Sequence, residues 1–304
     1  MEYRSYAEFL PTEYTATLAP PTRTWWPWRG RTVHIARAVV PAASVRAMII
    51  HGGGGYSGAL WPTAAAATGE CVDMLLPDLP LYGDTVDPDP SRVRYDDWVD
   101  LLCDLVRHER AGDPRPLVLF GASMGGMLAY EVAARTGLVD AVVVTCLLDM
   151  RDPAARAAAT RFAWTGRPAP ALLRAIEPLV GHVSVPIRWL ADMRNMSSDP
   201  RLSALCASDP RGGGVSVPLG FLSSWMNYQH TAPEEYAVPV TLVAPAADKW
   251  TPAELSIRFL QRVSAPTELV ILKNCGHFPI EEPGLTQLRD AMRTVLSRVQ
   301  AGRP

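Results

Sequence analysis

Ser123 is the residue around which chemistry can be organised. It stands in Phe120-Gly121-Ala122-Ser123-Met124-Gly125-Gly126, between a compact apolar run, Leu117 to Phe120, and a helical pattern from Met124 to Arg135 that Gly137 closes. A Gly-x-Ser-x-Gly motif in that context predicts a sharp strand-to-helix turn. The flanking positions must be glycine because a side chain would collide as the chain reverses. The serine hydroxyl is then pushed outward, and the free amides of the helix N-terminus face any developing anion. The plainer reading is a glycine-rich turn whose serine only caps the helix. The strand before it and the helix after it favour the nucleophile.

A serine hydroxyl is a weak nucleophile that needs a base, and the base needs an orienting acid. Of six histidines, His277 follows the last apolar run, in Lys273-Asn274-Cys275-Gly276-His277-Phe278-Pro279. A histidine just past a strand can reach the crevice that holds Ser123. His34 and His108 read as structural, His51 as a residue that shapes its own turn, and His182 and His230 as surface or substrate contacts. For the acid, Asp248 follows the run Val240 to Ala244, while Asp149 and Asp152 follow an earlier one. The chain order Ser, Asp, His favours Asp248. The plain alternative for Asp248 is a solvated turn residue paired with Lys249. An acyl-transfer intermediate also requires N–H donors for its oxyanion. The Met124 amide is one, and the glycine turn His51-Gly52-Gly53-Gly54-Gly55 offers a second, Gly53 first and Gly54 next.

These residues must be positioned by strands. The runs Val45 to Ile50, Val72 to Leu76, Leu117 to Phe120, Ala141 to Leu148, Val240 to Ala244 and Leu269 to Leu272 are continuously apolar. That pattern predicts strands buried on both faces, as in a parallel sheet. Helical patterns fill the gaps. Ser91 caps a helix with Trp98, Leu101, Leu102 and Leu105 on one face, ending at Gly112. Thr251-Pro252-Ala253-Glu254 reads as a capping box with proline at the first helical position. Leu285, Leu288, Met292 and Val295 form the stripe of a last helix. The alternation predicts an α/β fold with right-handed crossovers.

Residues 149–236 break the alternation and show no clear strand. They read as a helical cap inserted between core segments 25–148 and 237–304, with residues 1–24 as a leader that wraps the surface or moves. The cap's tryptophan and methionine content predicts an apolar acyl or aromatic group in the pocket, with Trp164, Trp225 and Met226 as wall residues beside Gly54. For any single one of them, packing of cap on core is the plainer role.

The set resembles the α/β-hydrolase fold, an α/β architecture with a mostly parallel sheet flanked by helices. The matching pieces are the His-Gly-Gly turn at 51–53, Asp78-Leu79-Pro80-Leu81-Tyr82-Gly83-Asp84, the elbow at 121–126, the Asp248 loop and Cys275-Gly276-His277-Phe278-Pro279. They span roughly residues 31–148 and 237–299 in the family's order. The glycine turn is similar to those of carbon–carbon-bond hydrolases and proline iminopeptidases, and the elbow to those of monoacylglycerol lipases and simple esterases. The resemblance implies a triad of Ser123, His277 and Asp248, with no metal and no organic cofactor. Ester cleavage is the expected reaction, and thioester, lactone, amide or carbon–carbon cleavage would use the same residues.

Two other readings stand beside it. Gly53-Gly54-Gly55-Tyr56-Ser57-Gly58 also spells Gly-x-Gly-x-x-Gly after a strand, with Asp78 beyond the next one, which imitates a dinucleotide fingerprint. Trp61-Pro62 should disturb the helix that fingerprint requires. The fold could also serve a non-catalytic ligand receptor.

Bulk composition excludes broader classes. The chain has 304 residues, enough for one large domain or two ordinary ones, with 48% hydrophobic and 20% charged residues. Net charge is −2, which gives no field for nucleic acid. No apolar run reaches the roughly 20 residues of a membrane span. Five scattered cysteines and the absence of a leading apolar segment predict a reducing, cytoplasmic setting. A small molecule is the expected partner, and a homodimer is left open.

Overall fold

The computed structural model describes residues 3–16, 18–159 and 169–302. Two short helices, α1 (Tyr3–Ala7) and α2 (Thr12–Thr15), precede an antiparallel pair, β1 (Thr22–Trp28) and β2 (Arg31–Ala38). Strand–helix alternation follows: β3 (Arg46–Ile50), α3 (Ser57–Thr68), β4 (Asp73–Pro77), α4 (Tyr95–Gly112), β5 (Leu117–Gly121), α5 (Met124–Thr136) and β6 (Ala141–Val144). The insertion carries α6 (Pro153–Ala159), α7 (Ala169–Val180), β7 (Ser184–Pro186), α8 (Pro200–Ser208), β8 (Ser216–Pro218) and α9 (Leu219–Asn227). The chain then returns with β9 (Val240–Pro245), α10 (Ala253–Leu260), β10 (Thr267–Leu272) and α11 (Gly284–Gln300).

Eight strands form one sheet in the order β1-β2-β4-β3-β5-β6-β9-β10. From β4 to β10 every neighbouring pair is parallel. The expected α/β fold is thus present. Strands β3, β4, β5, β6 and β9 are buried along their whole length, as their unbroken apolar runs require. Strands β6 and β9 are sheet neighbours although 95 residues separate Val144 from Val240, so the insertion leaves and re-enters the sheet at one place.

Several local expectations are corrected. Strand β10 lies at the sheet edge, so its residues alternate between exposed and covered instead of being buried on both faces. Strand β6 stops at Val144, short of Leu148. Ser91 does not cap α4: it sits in a separate turn and donates to Asp89 Oδ1 at 2.6 Å, and α4 starts at Tyr95, where the Asp97 carboxylate accepts from the Arg94 amide at 2.8 Å. Helix α3 runs through Trp61 and Pro62 unbroken. The insertion holds a small antiparallel pair, β7 with β8, where no strand was expected. The boundary expected at residue 24 falls inside β1. Within residues 1–24, Tyr6 is buried, stacks on Phe278 at 6.3 Å and donates to Asp209 Oδ2 at 2.8 Å.

A charged group locks the far end of the sheet. Glu109 on α4 accepts from Arg37 on β2 at 2.5 Å and from buried Arg46 on β3. Burial pushes the Glu109 carboxyl up, but the two guanidinium partners outweigh it and hold the group below its ordinary value. A depressed carboxyl contributes stability above its unfolded pKa of 4.5, and that contribution is lost as pH falls through the lower folded value. Glu109→Gln removes the nearest carboxylate from buried Arg46 and leaves it Asp113 and Asp73 at 3.5 and 3.9 Å, so chemical denaturation at neutral pH should show a loss of about 1.5–3 kcal/mol. The difference from the parent should shrink as the solution is acidified.

Candidate active site

The turn after β5 carries Ser123 at φ 56° and ψ −127°. For a residue with a side chain this conformation costs about 1–3 kcal/mol and persists only where neighbours impose it. They do so here by close approach of backbone to backbone. A Cβ on Gly121 would run into the Gly125 carbonyl, one on Gly125 into the Ile50 carbonyl, and one on Gly126 into the Cys146 carbonyl. The Ala122 amide donates to Ile50 O at 2.9 Å, and the Ser123 amide to Thr145 Oγ1 at 2.9 Å. Thr145, just past β6, was not singled out in the sequence, since nothing local marks it as the acceptor for this turn.

His277, in the loop after β10, places Nε2 2.8 Å from Ser123 Oγ and Nδ1 2.7 Å from Asp248 Oδ2. Asp248 follows β9. Its Oδ1 accepts from the Trp250 and Thr251 amides at 2.8 and 2.9 Å, and its Oδ2 from the Thr251 hydroxyl at 2.6 Å. Burial opposes ionisation of Asp248, but the His277 charge, the His277 hydrogen bond and the Thr251 donors prevail and hold the carboxyl below its ordinary value. Asp248 is thus a fully hydrogen-bonded, ionised group and not a solvated turn residue.

The rival acids are occupied elsewhere: Asp149 pairs with Arg151 at 2.8 Å and Asp152 with Arg258 at 2.8 Å. The expected capping box at 251–254 does not form. The Thr251 hydroxyl faces Asp248, and Pro252 occupies the position just before α10. Thr251 and Trp250, whose ring lies 4.7 Å from that of His277, join the site without a sequence signal of their own.

Four of the other histidines pack or pair away from Ser123, and His182 is exposed. His51 Nε2 accepts from the Leu79 amide at 2.9 Å, so Nδ1 bears the proton and donates to Gly52 O at 2.8 Å. Burial lowers its pKa, against smaller opposing effects of Gly52 and Asp78, and the ring stays neutral. His34 pairs with Asp78, and His108 stacks on Trp26. His230 is buried against Tyr95 and driven by burial, then by Arg151, down to about 3.

Asp78 is buried and accepts from Ser57 N, Asp84 N and His34, so it cannot serve a ribose as a dinucleotide fingerprint demands. Gly53 lies against Met124 beside Ser123, and among the described residues neither the Gly53 nor the Met124 amide has an acceptor.

Ser123 opens onto two cavities. The larger, about 420 Å³, is walled by Met124 and Met127 on the core side and by Leu172, Ile187, Phe221, Trp225 and Met226 of the insertion. Gly54 faces the smaller cavity, about 50 Å³, together with Tyr6, Met196 and Phe278. Trp225 and Met226, named as wall residues in the sequence, line the larger cavity, and Trp164 lies outside the described residues. Leu172 and Ile187 were missed. For Leu172 the apolar stripe of α7 was the available signal, but which way that stripe faces is a tertiary matter, and Ile187, just past β7, had none.

Residues 48–286 match the Alpha/beta hydrolase family. No curated protein matches the chain. Among solved structures it is similar to the monoacylglycerol lipase of Paleococcus ferrophilus, with a TM-score of 0.69 and 19% identity over 87% of this chain and 98% of that one. It is also similar to a highly thermostable carboxyl esterase from Bacillus coagulans, with a TM-score of 0.69 and 15% identity over 93% and 99%. A soluble variant of monoglyceride lipase from Saccharomyces cerevisiae gives 0.68 and 15% over 94% and 96%. At these identities the likeness shows a shared fold.

Gly52 tests how tightly the turn is packed. A Cβ there would stand 2.9 Å from both Ser123 Cβ and the Met124 amide nitrogen. Gly52→Ala should therefore displace the serine and slow its reaction with a fluorophosphonate by about a hundredfold, with unchanged circular dichroism.

Proposed function

The chain belongs to the alpha/beta hydrolase family, and from that premise we propose that it is a serine hydrolase cleaving a carboxylic ester with a small or medium apolar or aromatic group. The observation that carries the reading is the relay of Ser123, His277 and Asp248, at 2.8 and 2.7 Å, opening onto an apolar cavity of about 420 Å³. Ser123 Oγ attacks the carbonyl carbon while His277 Nε2 takes its proton. Asp248 holds the imidazole tautomer and stabilises the imidazolium. The Gly53 and Met124 amides receive the oxyanion. His277 then returns the proton to the leaving alcohol and activates the water that releases the acyl group. Thioester, lactone, amide and carbon–carbon substrates would meet the same residues. The lipases and esterases of similar fold support the ester among these.

Cavity sizes support the substrate class. A space of about 420 Å³ falls in the range of small-molecule sites. The smaller one, about 50 Å³, holds on the order of one or two waters. The bulk of the substrate therefore belongs in the larger cavity, under residues 149–236 acting as a cap on the hydrolase core. Among the described residues no helix is long and apolar enough to cross a membrane. A cytoplasmic setting is part of the same proposal.

Steady-state assays on 4-nitrophenyl esters test this. Ser123→Ala should lose about 10⁶-fold in kcat, and Asp248→Asn about 10⁴-fold. Full activity in Ser123→Ala would refute the reading. Along an acyl series, kcat/KM should rise by about fourfold per methylene, from about 0.8 kcal/mol each, until the cavity is filled. A flat series would remove the apolar cavity from the account.

A further inference from the structure

Tyr82 is a buried polar residue that the mechanism above leaves unused. It lies in the loop after β4, 1% exposed, with its ring edge-on to His51 at 5.6 Å and to Trp98 at 5.7 Å. The loop itself is fixed. Trp98 Nε1 donates to Pro80 O at 3.0 Å, the Leu79 amide to His51 Nε2 at 2.9 Å, and the Tyr82 amide to Leu79 O at 3.0 Å. Leu81 is held at φ 86°, a left-handed conformation unfavourable for a leucine. His51 therefore ties this loop to the same glycine turn that presents the Gly53 amide.

Tyr82 lines the larger cavity together with Ser123 and Met124, and its hydroxyl, itself buried, lies 3.8 Å from where a side chain on Gly53 would begin. Among the described residues nothing accepts its proton. Burial raises the phenol above its ordinary range, with a smaller opposing effect of the Gly54 amide on its oxygen, so it remains a protonated donor at neutral pH. A buried donor without an acceptor is destabilising, and phenylalanine would remove that penalty at almost the same shape. The acceptor must then arrive with the substrate. The cavity wall around Gly53 is otherwise apolar, with Ile187 Cδ1 and Met124 Cε nearest, which favours an apolar substrate body there. The one oxygen every acyl substrate must bring to Gly53 is its carbonyl.

We infer that the Tyr82 hydroxyl is a third oxyanion donor, completing the set begun by the Gly53 and Met124 amides. The inference rests on Ser123 acting as nucleophile. As Ser123 Oγ bonds to the carbonyl carbon, the π pair of the C=O bond moves onto oxygen. The serine proton passes to His277 Nε2. Tyr82 donates a hydrogen bond to the new oxyanion and keeps its proton. When the tetrahedral adduct collapses, the pair returns to C=O and the hydrogen bond weakens. Because the bond is strongest to the adduct, Tyr82 acts on the transition state more than on bound substrate.

Tyr82→Phe removes only the hydroxyl. It should lower kcat by at least about tenfold with KM little changed. Affinity for a trifluoromethyl ketone, which forms the tetrahedral adduct on serine, should fall by the same factor, and Tm should be unchanged or higher. A Tyr82→Phe protein with wild-type kcat and ketone affinity, compared with a wild type that a fluorophosphonate labels at Ser123, overturns this inference alone. A wild type that is not labelled overturns the serine hydrolase reading and this inference with it. If Tyr82→Phe does not fold, 3-fluorotyrosine at position 82 keeps the shape and makes the hydroxyl a stronger donor. Ketone affinity should then rise, and an unchanged affinity overturns the inference.

Discussion

The arrangement depends on one backbone conformation. Ser123 holds φ 56° in a turn packed backbone against backbone: Gly125 at the start of α5 against the Ile50 carbonyl of β3, Gly126 against the Cys146 carbonyl past β6, and Gly52 of the His-Gly-Gly turn against Ser123 itself. Each contact exists only where there is no Cβ. Strand β3 and helix α5 are thereby pressed together at the point where the Gly53 and Met124 amides emerge. Serine strain, close glycine packing and two free amides are consequences of the same constraint, and loosening any of them would loosen all three.

Parallel strands turn that local constraint into a site. Gly53 follows β3, Ser123 follows β5, Asp248 follows β9 and His277 follows β10, and all four strands run in one direction. Their C-terminal ends meet along one edge of the sheet, so residues up to 224 positions apart converge without a special fold for each. The insertion between β6 and β9 leaves the sheet at that edge and returns to it, and its α7 and α9 wall the larger cavity. A group bound in that cavity would meet side chains from outside the sheet as well as the elbow's Ser123 and Met124.

What was legible in the sequence follows from the same physics. The α/β class could be read because buried parallel strands leave unbroken apolar runs, and the elbow because backbone crowding leaves glycines at fixed offsets. Ser123, His277 and Asp248 could be named because each follows such a run, and the structure brings them within hydrogen-bond distance. Positions whose role depends on tertiary packing were not legible. Thr251 looks like a helix cap until Asp248 is seen to claim its hydroxyl. Ser91 has the right type for a cap but lies one turn too early. Tyr6 and Leu172 carry no motif, Tyr82 lies in a matching segment that gives it no role, and only the folded chain sets them around the cavities. The edge position of β10 and the continuity of α3 through Pro62 likewise depend on neighbours, not on the segment itself.

The central claim is that Ser123 carries the acyl group during turnover. Intact-protein mass spectrometry after rapid acid quench with a slowly deacylating ester tests it most directly. The account predicts a mass increase equal to one acyl group, mapped by peptide digestion to Ser123 and absent in Ser123→Ala. Turnover of the ester with no acylated protein at any quench time, or acylation mapped to another residue, would contradict it.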